Sequence, residues 1–203
     1  MTAVAAIVEG DGEVIALPIL LRRLGLWLTP NRKLPQILTP IRVPRDRFLN
    51  KPAEFSRHLQ LAAAKCGPTG WVLILLDADD DCPAELAADI QKQAIKLIPH
   101  RRIAVVLANR EFEAWFIASS LSLNGCRGLA LGNQVIPPAE VPRDAKGWIK
   151  ERMPRRAYGA TTDQPAFTAR IDLEMAHKNS RSFRKLAAEW VRHVAPNESP
   201  TGS

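Results

Sequence analysis

Residues 71–83, WVLILLDADDDCP, run through six apolar positions and then place four carboxylates within five residues. Consecutive apolar side chains, rich in Val, Leu and Ile, describe a strand buried on both faces, as in the middle of a parallel α/β sheet. In open α/β sheets ligands bind at the carboxyl ends of the strands, so Asp77, Asp79, Asp80 and Asp81 are delivered to where chemistry usually sits. Extended side chains alternate with period two, which points Asp77 and Asp79 the same way with only Ala78 between them. Crowded carboxylates repel one another unless a cation neutralises them, and an oxygen-only set suits Mg²⁺ or Mn²⁺ better than zinc. The plainer alternative is a solvated turn in which Asp81 caps a helix that opens at Pro83.

Upstream, residues 3–8 (AVAAIV) read as a first buried strand that ends at Glu9, with Gly10 and Gly12 permitting a tight turn into a helix. That helix is predicted over residues 14–24, with Pro18 in its first turn and Arg22 and Arg23 at its end. Glu13 stands near its start, either stabilising the helix dipole or reaching a metal. Residues 27–50 are rich in proline and arginine, and only residues 37–43 have the character of a short strand. Residues 52–66 repeat apolar positions at helical spacing and stop at Gly67 and Pro68.

Downstream, residues 83–97 predict a helix and residues 101–108 (RRIAVVLA) a third buried strand. Strands alternating with helices at this spacing predict βαβ units in a mostly parallel sheet. Glu111 and Glu113 follow the third strand. On a helix they would diverge by about 200°, so only one of them, Glu111 being the candidate, would face the strand ends unless the helix starts later. Helix capping or pairing with Arg110 is the alternative. Residues 121–156 read as an irregular basic surface, and residues 166–175 and 180–194 as two helices. The second of these exposes Arg181, Arg184, Lys185 and Arg192 and buries Phe183, Leu186 and Trp190.

The chain has 203 residues, 46% of them hydrophobic, enough for a substantial core. It has no apolar run near the ~20 residues that cross a bilayer, and its first residues turn acidic too early for a signal peptide, which predicts a cytoplasmic protein with no membrane partner. Three cysteines (Cys66, Cys82, Cys126) without CxxC spacing argue against a disulfide framework or a zinc site. The net charge is +7, and from Arg22 to Arg57 nine Lys or Arg face two acids. A basic surface around an acidic centre matches metal-dependent work on a phosphate backbone, with Arg42, Arg45, Arg47, Arg181, Arg184 and Lys185 as candidate nucleic-acid contacts. An ordinary solvated basic surface gives the same charge.

A Glu-Gly after the first strand and an Asp-x-Asp after a later buried one, joined by βαβ units, resemble the TOPRIM domain of topoisomerases, primases and OLD-type (overcoming-lysogenization-defect) nucleases. The blocks VEGDGE, LLDADDDCP, NREFEAWFIAS and TTDQPAFTARIDLEMAHKNSRSFRKL resemble more closely a family of small stand-alone bacterial TOPRIM-like proteins, mostly uncharacterised, over nearly the whole chain. The resemblance implies an α/β, Rossmannoid TOPRIM-like core over residues 1–120, with a helical basic elaboration over 121–195 packed on it. A disordered tail at 196–203 is expected to follow.

The resemblance also implies phosphodiester hydrolysis of DNA or RNA with one or two Mg²⁺ or Mn²⁺ ions. Glu9, Asp77 and Asp79 would be catalytic; Glu9, Glu13, Asp77, Asp79, Asp81 and Glu111 would be metal ligands. Relatives of this kind neighbour ATPases, some in anti-phage defence, and the absence of a GxxxxGK[ST] phosphate loop makes any ATPase a partner. The alternatives are a non-catalytic nucleic-acid-binding or regulatory subunit and a metal-dependent small-nucleotide phosphohydrolase; self-association is left open. There is no nucleophile elbow and no HExxH, and the histidines (His58, His100, His177, His193) have no ligand-like spacing. The single tyrosine, Tyr158, in a basic loop, argues against strand passage by this chain alone.

Overall fold

The computed structural model describes residues 2–195, so the predicted tail at 196–203 lies outside the described residues. The fold is α/β. Strands β1 (Ala3–Val8), β2 (Gln36–Ile37), β3 (Ile41–Arg42), β4 (Trp71–Asp77) and β5 (Arg102–Ala108) form one five-stranded sheet. All its pairings are parallel, in the order β2-β1-β4-β5, with β3 also on β1. Among the described residues no helix is long and apolar enough to cross a membrane.

The apolar strand runs have a direct cause, since helices cover both sheet faces. Trp71, Leu73 and Leu75 of β4 enter one core, while Val72, Ile74 and Leu76 enter the other, and β1 and β5 divide in the same way. Helices α2 (Arg45–Asn50), α3 (Pro52–Cys66) and α4 (Pro83–Leu97) supply Phe48, Phe55, Leu59 and Ile90 to the second core. The first core lies under α1 (Asp11–Leu28), α5 (Ala114–Ala118), α8 (Ala160–Thr168), α9 (Leu173–Asn179) and α10 (Arg181–Val194). Between α5 and α8 come α6 (Ser120–Leu123), a 3₁₀ turn at Cys126–Gly128 and α7 (Ala145–Glu151).

The C-terminal helices are tied into this core. Trp190 packs edge-on to Trp71 with ring centroids 6.3 Å apart, and its Nε1 donates to Thr29 Oγ1 at 3.1 Å. Arg23 of α1 donates to the carbonyls of Thr168 and Ile171, at 2.6 and 2.7 Å, fastening the end of α8. Gly12 makes the α1–α8 approach possible: a Cβ there would stand 1.9 Å from Gln164 Oε1 and 2.9 Å from the Ala160 carbonyl.

Three local expectations need correction. Helix α1 opens at Asp11, so Pro18 lies inside it rather than in its first turn. The strand predicted over 37–43 is two short pieces, because Pro40 has no N–H for the ladder; Leu38 and Val43 N–H groups bond Val4 and Val8 carbonyls on either side of the break. The helix predicted over 166–175 is α8 and α9, parted where Asp172 accepts from Met175 N and starts a new helix.

The connection α1 places β2 and β3 on one side of β1, and the chain then returns through α2 and α3 to place β4 on the other. The strand order therefore reverses between β1 and β4, the crevice where open α/β sheets bind ligands. Glu9 and Asp77 stand at the carboxyl ends of those two strands.

Candidate functional site at the carboxyl ends of the strands

Glu9 follows β1 immediately, and Glu13, buried in the first turn of α1, accepts a 2.6 Å hydrogen bond from Gly10 N. A carboxylate there faces the positive end of the helix. Asp77 closes β4, and its Oδ1 accepts from Phe112 N at 2.8 Å, which anchors the segment after β5. That segment, residues 111–113, is a turn, with Arg110 at φ +68° and α5 starting only at Ala114. The helical divergence expected of Glu111 and Glu113 therefore does not arise. Both reach the same ammonium, Lys146 Nζ, at 4.0 and 3.9 Å.

Glu113 is fully buried. Its Oε1 accepts from Tyr158 Oη at 2.9 Å and Gln164 Nε2 at 3.0 Å, and the same Gln164 nitrogen lies 3.4 Å from Glu13 Oε1. Glu111 Oε2 accepts from Lys146 N at 2.8 Å. Glu9, Glu13, Asp77, Glu111 and Glu113 thus form one carboxylate cluster, crossed by a lysine and a glutamine from the C-terminal part of the chain.

The cluster perturbs its own protonation. Burial, then the charges of Asp79 and Glu13, push the Glu9 pKa from 4.5 up to about 7. Burial, followed by Glu13, Glu113, Glu9 and Glu111, holds Asp77 well above the carboxylate range, and burial also raises Glu113. Burial alone would lower Lys146, but the field of Glu113, Glu111, Asp77 and Glu13 outweighs it and raises its pKa. Burial and Glu113 raise the Tyr158 phenol.

Because the folded state binds the Glu9 proton more tightly than the unfolded chain, that contribution to stability is complete below about pH 4.5. It is lost as pH rises through about 7. Without divalent ions, the denaturant midpoint should therefore be higher at about pH 5.5 than at about pH 8, and Glu9→Gln should flatten the difference.

Within the cluster, Glu9 Oε2 and Glu113 Oε2 are buried without a hydrogen-bond partner among the described residues. Buried acceptors are normally satisfied, so unpaired carboxyl oxygens beside further carboxylates make a donor set fit for a hard cation. Among the described residues no three carboxylates stand at metal-ligating spacing; Lys146 and Gln164 link them instead.

Asp79, Asp80 and Asp81 lie outside this cluster. The chain leaves the sheet after Asp77, and Asp79 adopts φ +50°, so the strand alternation predicted to align it with Asp77 ends first. Asp79 is exposed, 3.5 Å from Arg45, although its charge still acts on Glu9. Asp81 pairs with Arg45 at 2.5 Å, and the helix cap is Cys82, which corrects the expectation that Asp81 caps the helix. Asp80 pairs with Arg110 at 2.8 Å and with Arg143.

A family model described as a domain of unknown function, DUF4276, matches residues 8–190. The chain belongs to the DUF4276 family. No curated protein and no solved structure matches it. The DUF4276 match spans the whole carboxylate cluster, including Lys146, Tyr158 and Gln164.

The basic residues of this DUF4276 chain divide into two places. At the site's edge Arg42 pairs with Asp11 at 3.0 Å. Arg45 is only 12% exposed, and besides its carboxylates it donates to the Asp77 carbonyl at 3.0 Å, making it a brace for the loop rather than an open phosphate contact. Arg47 pairs with Glu54 at 2.7 Å. Away from the cluster, Arg184 caps α9 through the His177 and Lys178 carbonyls, Lys185 pairs with Glu189 at 2.5 Å, and Arg181 is exposed.

Sequence reasoning left Glu113 out of the cluster, and missed the places of Lys146, Tyr158 and Gln164 in it. A usable signal existed for Lys146. Asp144 caps α7 through Gly147 N, and Lys146 sits in that first turn, where a cation is unfavourable unless acids face it.

Proposed function

We propose that this chain is a metal-dependent phosphodiesterase of the nuclease kind, acting on DNA or RNA through the cluster at the β1–β4 crevice. The observation that carries the reading is five carboxylates gathered at the topological switch point, with Glu9 poised near neutral pH and the Glu9 and Glu113 Oε2 atoms unpaired. The resemblance of Glu9, Asp77 and Asp79 to the TOPRIM pattern points the same way. Glu9, Glu13, Asp77 and Glu113 would hold Mg²⁺ or Mn²⁺. When bound, such an ion polarises the phosphate and acidifies a water.

The protein's own groups then have distinct tasks. Glu9, with a pKa of about 7 before an ion binds, would give up its proton and serve as a ligand. The Lys146 ammonium, held charged by its acids, opposes the negative charge that builds on the phosphate. Tyr158 and Gln164 keep Glu113 in place. Arg42 and Arg143, both largely exposed at this edge, draw in the nucleic-acid backbone. A separate ATPase, in an anti-phage setting, would present the substrate, since the sequence has no phosphate loop of its own.

A second reading is favoured by two observations: Lys146 already compensates the acids, and among the described residues no three of them stand at ligating spacing. In that case the chain is a nucleic-acid-binding or regulatory subunit. Incubation of plasmid, linear DNA and RNA with purified protein in Mg²⁺ or Mn²⁺, alone and with an ATPase encoded beside it, separates the two. Metal-dependent cutting that Glu9→Gln removes supports the nuclease. Nucleic-acid binding with no cutting in any mixture supports the subunit.

A further inference from the structure

Strand β5 is an edge of the sheet, and its free side opens into a groove of about 730 Å³ between α4 and α10. The Ala108 carbonyl accepts from Ala78 N on the β4 side. With the two-residue period of a ladder, Ala104, Val106 and Ala108 turn their main-chain groups to β4, whereas Ile103, Val105 and Leu107 turn theirs outward. The Ile103 carbonyl accordingly meets a side chain, Gln91 Nε2, at 3.4 Å. The outward N–H and C=O groups of Val105 and Leu107 meet no partner among the described residues, and these two residues line the groove. An edge of this kind is a template for another strand.

The two walls differ in chemistry. Helix α4, on one sheet face, offers Ala84, Ala87, Ala88 and the half-exposed Ile95, a low apolar wall. Helix α10, on the other, offers Arg181, Lys185 and Arg192 at positions i, i+4 and i+11 of one helical face. The acids nearby are already engaged. Glu189 is bound by Lys185, Arg192 and His193, and Glu140 accepts from Ser180, Ser182 and Asn109. Arg181 is exposed and forms no ion pair among the described residues.

We propose that this groove docks an extended acidic segment of a partner protein, which adds to β5 as a sixth strand. Successive side chains of an added strand point to opposite faces, so one set of the partner's residues, small and apolar, would lie on α4. The alternate set, acidic, would meet Arg181, which has no ion pair among the described residues, flanked by Lys185 and Arg192, which Glu189 already pairs. The main-chain bonds supply affinity and the two walls supply selectivity. The far end of the groove reaches Asn109, two residues before Glu111, so the partner sits beside the carboxylate cluster without covering it. The inference does not depend on whether that cluster hydrolyses phosphodiesters.

The test is an NMR titration of the ¹⁵N-labelled full chain with a short acetylated, amidated peptide of alternating valine and glutamate, beside its valine–lysine twin. The proposal expects saturable shifts of the Val105 and Leu107 amides, with the lysine twin weaker by about tenfold or more. Arg181→Glu with Lys185→Glu should weaken the glutamate peptide by a similar factor, and Ala88→Trp, which fills the groove from an exposed position, should abolish binding with the melting temperature unchanged. Equal binding of both peptides overturns the proposal, as does no shift of the two amides at about 1 mM peptide.

Other occupants have their own signatures, and each also overturns it. Shifts that follow protein concentration without peptide place a second copy in the groove. Amides already protected and unmoved by peptide place a segment of the chain itself there. An oligothymidylate that shifts Arg181 and Lys185, while the peptide moves neither amide, assigns α10 to nucleic acid.

Discussion

Asp77→Asn is expected to yield a protein that melts above the wild type at pH 8 without divalent ions, yet has lost metal-dependent cleavage by on the order of a thousandfold or more. The two effects have one cause. Burial of Asp77, and then the fields of Glu13, Glu113, Glu9 and Glu111, make its ionised form costly in the folded state. An amide removes that charge at nearly constant shape and keeps an oxygen for Phe112 N, the bond that anchors the turn after β5. It also removes one of the anionic oxygens that an ion would need. Thermal melts and cleavage rates on the same preparation check this. A variant that is inactive because it is less stable than the wild type would show that Asp77 serves the fold alone.

Trp190→Ala is expected to cost about 4 kcal/mol of stability, the range for a large aromatic removed from a close-packed core. Trp190 has no exposed surface, meets Trp71 edge-on and donates to Thr29 Oγ1. Its ring also lies against Gly25, where a Cβ would stand 2.9 Å from it. Truncation therefore opens a cavity between α1, β4 and α10 and leaves Thr29 without its donor. A urea titration should show the midpoint falling with an unchanged slope. A loss under about 1 kcal/mol would mean that α10 rests on the sheet without sharing its core.

Both effects depend on how far the site was written in local sequence. Strands β1, β4 and β5 were legible because a strand buried on both faces has no polar position to hide it, and Glu9 and Asp77 were legible because they end such strands. The partition of α10 into buried Phe183, Leu186 and Trp190 and outer basic residues followed from helical period alone.

What local pattern could not supply was the meeting of distant segments. Glu113 depends on where α5 begins, and that depends on Phe112 N being held by Asp77, 35 positions earlier. Gln164 meets Glu13 across 151 positions. Asp163 is buried between Arg127 and Arg156, 36 positions after the one and 7 after the other, and accepts from Gly159 N. Asp79 was misplaced because strand alternation was extended past the last residue of the strand, into a turn where Asp79 itself has φ +50°.

The measurement that bears most directly on the carboxylate cluster is a calorimetric titration of Mn²⁺ into the wild-type chain and Asp77→Asn, near pH 7 in two buffers of different ionisation enthalpy. A metal site that includes Glu9, whose pKa stands at about 7, predicts saturable binding to the wild type with proton release, because the ion displaces a proton from Glu9. Binding should disappear in the variant. No binding at about 1 mM Mn²⁺, or equal binding by both proteins, would contradict it.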